Sequence, residues 1–196
     1  MTPEQTKKLL DKYPKIFKRV THPCGPPHYP ISLFIFECGD GWFNIIDALC
    51  ANIQGHINYS RSDRAKALKF NRALARAKKG DMAGLYHYHN YSRKEELSEY
   101  TIKTAHESLE RGKEQQVRDA CPQVIATQVK EKFGTLRFYY NGGDEYVRAL
   151  ENMADSMSAR TCEVCGNPGK VYRDGWHSTL CPTHAKEQHR EEEQDD

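Results

Sequence analysis

Cys162-x2-Cys165 and Cys181-x2-His184 stand fifteen residues apart in TCEVCGNPGKVYRDGWHSTLCPTHAKE, residues 161–187. Two intervening residues let both members of a pair reach one ion from a single tight turn. Two such pairs supply the four donors of a tetrahedral zinc site. Four protein donors leave no coordination position for water or substrate, so the chemistry expected of Zn2+ here is structural. The rival use of the first pair is a redox or disulfide CxxC, and His177 and His189 are rival nitrogen donors. The paired spacing favours zinc held by Cys162, Cys165, Cys181 and His184.

The intervening residues fit such a site. Gly166, directly after the second cysteine, permits the positive-φ backbone of a knuckle whose amides point at the thiolates. Asp174-Gly175 between two short β-prone runs signals a hairpin, and Pro182 suits the first turn of a helix that AKEQHREEE can continue. Knuckle, hairpin and ligand-bearing helix together resemble a treble-clef or zinc-ribbon module.

Three other stretches hold chemically able side chains. In YHYHNY, residues 86–91, His87 and His89 share a face if extended, and with Asn90 they resemble the histidine-rich centre of HNH-type nucleases. That pattern also needs a metal-binding histidine on a following helix, and His106 lies mid-helix without the ββα context; an aromatic patch is the plainer reading. Glu37 and Asp40 in ECGDGW follow a strand, a common place for catalytic carboxylates, but Gly-Asp-Gly is first a turn. NGGDE, residues 141–145, suits a phosphate-approaching loop or a helix cap equally. No Walker A, dinucleotide or nucleophile-elbow pattern is present. No complete catalytic set can be assembled, so the chain reads as a binder before an enzyme; a metal-dependent nuclease using His87, His89 and an acid such as Asp40 is the alternative.

Charge is segregated. The formal net charge is only +2, yet residues 61–79 carry eight Lys or Arg against Asp63 alone, while the last ten residues are mostly acidic. Lys69, Arg72, Arg76 and Lys79 recur at helical spacing on one side, with Leu68 and Ala75 left to meet the body. With Tyr86 and Tyr88 nearby, this is what a phosphate-tracking surface requires; an acidic protein partner or a passive solvated face fits the same residues.

The elements that must position these groups follow from periodicity. Thr2 to Lys12 reads as a helix, HPCGPPHYP (22–30) as a loop, and ISLFIFEC (31–38) as a buried strand. Ile45, Ile46, Leu49, Cys50 and Ile53 mark a helix at 44–56; a second is expected from an N-cap at Ser62 to Gly80, and a third from the Ser92-x-x-Glu95 capping box to Gly112. Strands at 124–131 and 136–140 should pair as a hairpin. Asp144 then opens a helix that packs through Val147, Leu150, Ala154 and Met157. The fold class is therefore α+β: a small antiparallel or mixed sheet packed with helices in residues 1–160, a polar helical excursion at 60–118, the zinc module at 161–187 and an acidic tail at 188–196 whose composition argues for disorder. The seven cysteines are odd in number and four are scattered, at Cys24, Cys38, Cys50 and Cys121. With no signal peptide and no membrane-length apolar run, a soluble, reduced, intracellular setting is expected.

The stretches FECGDGWFNIIDALCANIQ, QVKEKFGTLRFYYNGGDEYV and MADSMSARTCEVCG resemble a group of small accessory proteins encoded by tailed bacteriophages. The likeness touches residues 34–54 and most of 124–184. The group has no assigned catalytic residues to carry over, so the resemblance implies a setting: the cytoplasm of an infected bacterium, where many such genes counter host defences. Its implied partners are a host protein complex, nucleic acid, or both.

Overall fold

The computed structural model describes residues 1–18, 36–91 and 96–189. The proline-rich loop at 22–30, most of the strand at 31–38, the Ser92…Glu95 box and residues 190–196 of the tail lie outside them. Two compact units emerge: Met1–Ile57 together with the chain from Cys121 onward, and Asn58–Ala120. The cysteine–histidine segment belongs to the first.

In the first unit, α1 spans Pro3–Lys12. Thr2 accepts the Gln5 N–H through its side chain, and Pro3 occupies the first turn, where its missing N–H costs nothing. β1 (Phe36–Glu37) runs parallel to β2 (Ile125–Lys132), which pairs antiparallel with β3 (Thr135–Asn141), giving a mixed three-stranded sheet in the order β1-β2-β3. The β2–β3 turn is Phe133-Gly134, with φ of 56° and 80°, the two positive values that a tight hairpin with right-handed twist requires. A register shift between Ala126 and Gln128 inserts one residue, so that Val129 returns to the buried face that Ala126 shares. Without it every later residue of β2 would present its opposite face.

α5 (Glu145–Ser158) begins at Asp144, whose side chain accepts the Val147 N–H. Val147 and Ala154 are buried as the spacing predicts. Met157 is exposed; Ser158 is buried beside it, accepting the Leu136 N–H and donating to Asp155 O.

The two helices expected at 44–56 and 62–80 are one. α2 runs unbroken for 35 residues, Phe43–Ala77, with Ser62 exposed in its interior rather than capping it. The polar run Asn58-Tyr59-Ser60 weakens the apolar pattern, but it contains no proline or glycine, and an existing helix extends at one hydrogen bond per residue fixed. Its first part buries Ile45, Ile46, Leu49, Cys50, Ile53 and Ile57 in the core of the first unit, with Leu9, Ile16, Trp42, Val124, Val129 and Leu136.

Its second part buries Phe70, Ala73, Leu74 and Ala77 in the smaller core of the second unit, with Leu85 and Ala105. Leu68 is half-buried and Ala75 exposed, so the inward face lies to the side of the one expected. α3 (Ala83–His89), unforeseen as a helix, packs Gly84 so close that an added Cβ would lie 3.1 Å from that of Ala73. α4 (Glu99–Arg111) starts after Ser98, whose hydroxyl accepts the Thr101 N–H, and ends as expected at Gly112, φ 57°. Asn71 exchanges two hydrogen bonds with the backbone of Gln115, tying the return segment to α2. Among the described residues no helix is long and apolar enough to cross a membrane.

The continuous helix has a testable consequence at Gly55, where an added Cβ meets nothing within 4 Å. Gly55→Ala should stabilise the protein by about 0.5–1 kcal/mol, read as a raised urea midpoint at constant slope. A loss of stability there would mean that the helix does not run through this position.

Candidate metal centre

The knuckle forms because Gly166 takes φ 79°, letting its N–H donate to Cys162 O while Cys162 N–H donates to Asn167 O. The Asn167 N–H then points at the Cys165 thiol. β4 (Lys170–Tyr172) and β5 (Ser178–Leu180) pair antiparallel around the loop that holds Asp174-Gly175, and α6 (Pro182–Glu187) opens with proline in its first turn. Cys181 and His184 thereby face the knuckle.

Cys162, Cys165, Cys181 and His184 offer ligand atoms all within 4.8 Å of one another and could hold a metal ion. The three cysteines are free thiols. Cys165 Sγ lies 3.8 Å from Cys181 Sγ, and His184 Nδ1 lies 3.5 Å from Cys162 Sγ and 3.2 Å from Cys181 Sγ. A tetrahedral ion with sulfur at about 2.3 Å and nitrogen at about 2.0 Å sets those separations at about 3.8 and about 3.5 Å. The site thus has the right size. His184 turns its other nitrogen, Nε2, toward Glu187, 3.8 Å away, the usual way a ligating imidazole is oriented. The His184 backbone N–H, with the imidazole and the two neighbouring cysteines, holds the Cys181 thiol down at about 6, which favours the thiolate. His177 and His189 lie outside this cluster.

The knuckle is seated on the turn Gly39-Asp40-Gly41-Trp42. Trp42 is fully buried and its indole N–H donates to Thr161 O at 2.7 Å. Gly41 N–H donates to Glu163 O, and Gly39 N–H to the Glu163 carboxylate. A Cβ on Gly41 would stand 2.1 Å from Cys162 O and 2.4 Å from Gly166 N. ECGDGW is therefore a seat: Asp40 accepts the Thr2 N–H and Glu37 accepts from Gln128.

Of the expected binding residues, Lys69, Arg72 and Arg76 line one groove of the second unit with Ala65, Leu68, Ala75, Gly84 and His87. None of the three is ion-paired with another described residue. Lys79 is exposed in the turn after α2 and is not part of that lining. Tyr86 and Tyr88 are half-buried against the second core, Tyr86 bonded to His106 and Tyr88 edge-on to Phe70. His87 and His89, two apart on a helix, point to opposite sides: His87 is exposed at the groove, His89 is buried and bonded to Ser108. Among the described residues neither belongs to a cluster of three or more potential metal ligands.

Two groupings have no counterpart in the expectations. His56, Cys121 and Asp144 converge from segments too far apart in sequence for any spacing rule to join them. Phe133 and Trp176, at the tips of the two hairpins, are 65% and 77% exposed beside His177, Lys130 and Lys132; two large exposed aromatics at turn positions were the available signal. Cys38 and Cys50 are ordinary core residues, and burial pushes both thiols up, that of Cys38 to about 12.

Two outcomes follow. Gly41→Ala should cost about 1–3 kcal/mol by overpacking and weaken metal retention, because the clash falls on knuckle backbone; urea unfolding and metal content measured together check both. Removing the ion with a chelator should abolish amide protection in β4 and β5, whose core among the described residues is Cys162, Tyr172, Leu180, Cys181 and Ala185, while the β2–β3 hairpin stays protected in hydrogen exchange. Compared with known family models, curated proteins and solved structures, the chain matches none, so its function rests on its own geometry.

Proposed function

We propose that this protein acts by binding rather than catalysis, with structural zinc at Cys162, Cys165, Cys181 and His184 fixing a treble-clef or zinc-ribbon-like module, and nucleic-acid phosphates as the ligand of its basic groove. The observation that carries the partner is the groove itself. Lys69, Arg72, Arg76 and His87 line it, and among the described residues no carboxylate does. Three cations gathered in one groove repel one another in water, and a phosphate backbone relieves that repulsion while releasing counterions. The Phe133–Trp176 patch of the first unit, with Lys130 and Lys132, is of the same class, since aromatic faces beside ammonium groups suit unstacked bases.

Zinc is supported by the three-sulfur, one-nitrogen donor set and its separations, and a structural role by all four positions being filled from the protein. The setting, an inhibitor-type role in the cytoplasm of a phage-infected bacterium, comes from the sequence resemblance. A host defence complex is the second reading, because an acidic protein surface would relieve the same repulsion. The nuclease reading has less support, since His87 and His89 diverge and among the described residues belong to no ligand cluster.

Fluorescence anisotropy with short labelled single strands and duplexes tests the first reading. Binding should weaken steeply with salt, and Lys69→Glu/Arg72→Glu/Arg76→Glu should lower the slope of log K against log salt by about 2–3 and affinity by at least about tenfold, at unchanged metal content. Absence of binding by the wild-type protein at low salt would reject nucleic acid. Capture from infected-cell lysate of a host complex that survives nuclease treatment, and is lost in the triple variant, would then favour the second reading.

A further inference from the structure

We infer that His56, Cys121 and Asp144 form a second metal site, taking a divalent ion of the zinc class through one imidazole nitrogen, one thiolate and one carboxylate oxygen, with solvent completing the coordination. The three donor atoms lie within 4.8 Å of one another, and the site is independent of the zinc module and of the basic groove.

Each ligand is held by its own support. The His56 ring, on α2, stacks on Tyr146 with centroids 4.4 Å apart and planes 29° from parallel. Asp144 divides its carboxylate: Oδ1 accepts the Val147 N–H at the start of α5, and Oδ2 meets His56 Nε2 at 2.7 Å. Cys121 is buried, and its thiol bonds to the Asp144 side chain. The segments carrying them are cross-tied. Gly143 N–H donates to Pro122 O, Gln123 Nε2 donates to Gln54 Oε1, and a Cβ on Gly142 would stand 2.2 Å from Gln123 O. Such support around a ligand set is what keeps it in place without its ion.

The chemistry of the donors suits borderline ions such as Zn2+ or Co2+, which accept nitrogen, sulfur and oxygen together. Binding sends the Cys121 thiol proton to solvent and requires the imidazole proton on Nδ1, so that Nε2 can ligate. The His56–Asp144 contact then opens from 2.7 Å to about 3.3 Å, the nitrogen–oxygen separation on a tetrahedral ion with bonds of about 2.0 Å. The side chains of His56 and Asp144 are 21% and 38% exposed, which gives the ion and a water their entrance. Three protein ligands and one open position are the arrangement of reactive rather than purely structural sites. The place is also distinctive: the first unit is made of two stretches of chain, Met1–Ile57 and Cys121 onward, and His56 and Cys121 bring one donor from each.

Metal-depleted protein titrated with Co2+, followed by visible absorption and metal content, tests this. Wild type should take up a second equivalent after the site at Cys162–His184 is filled. Asp144→Asn, which keeps the helix cap, and Cys121→Ser should each lose that second equivalent while retaining the first. Equal uptake by wild type and both variants would overturn the assignment. Should either substitution unfold the chain, Co2+ broadening of the Tyr146 and Val147 NMR signals in wild type decides: broadening there upholds the site, and broadening confined to the surroundings of Cys162–His184 overturns it.

Discussion

The segment that carries Cys162, Cys165, Cys181 and His184 is seated by a contact made far away in sequence: Trp42, fully buried, with its indole N–H on the carbonyl of Thr161. The three polar contacts of the seat, from Gly39, Gly41 and Trp42, each contribute on the order of 1 kcal/mol net. Truncating a buried aromatic of this size costs about 3–5 kcal/mol. Burial of the indole is therefore the larger effect, and the hydrogen bonds fix the angle at which the knuckle sits. The four donors that could hold a metal ion are consequently positioned by the main core as well as by their own hairpin. Burial raises the Glu163 carboxyl above its ordinary range, partly offset by the Gly39 N–H, so this residue between the first two cysteines is committed to the seat.

Close backbone approach recurs wherever distant segments meet. Gly39 against Glu163, Gly41 against Cys162 and Gly142 against Gln123 each leave no room for a Cβ, the nearest atom in every case being a backbone carbonyl oxygen. A chain of this size with three-residue strands in its metal-binding segment has little apolar area there to bury. Contact between backbones substitutes for side-chain volume, and an ion on the four donors, which could hold one, would add to it. The second unit solves the same problem by other means. Among the described residues its buried core is Phe70 with five alanines and leucines, and Asn71–Gln115 and Arg64–Asp119 close the return segment with polar contacts at the surface.

What could be read from the sequence follows from the range of the forces involved. The Cys162–His184 spacing, the first helix, the Asp144 cap, the Gly112 stop and the β2–β3 hairpin are decided by short-range pattern, and the structure has each of them. The junction between the two expected helices is not a local matter: polarity at 58–60 imitates a loop, yet the helix runs through it. The inward face at Leu68 and Ala75 is equally hidden from the cationic stripe alone. The position of the stripe does not by itself say which flank meets α3 and α4. ECGDGW was legible as a turn but not as a seat, since its partner lies more than a hundred residues on. His56, Cys121 and Asp144 could not be associated at all: their convergence is a product of tertiary packing, and each alone reads as an ordinary helix, loop or capping residue.

The distribution of charge completes the physical picture. Of the eight basic residues at 61–79, Arg64 is spent on Asp119 and Lys78 on the carbonyl of Gly112, holding the second unit closed. Lys69, Arg72 and Arg76 have no such internal task, and they are the ones that line the groove. A passive solvated face would scatter its cations among carboxylates, because alternating signs cost less electrostatic energy on a helix surface. Here Arg64 on α2 and Lys78 in the turn after it have structural partners, while Lys69, Arg72 and Arg76 line the groove. That division gives the second unit a stable interior and leaves an electrostatic demand outside, which an anionic partner would meet.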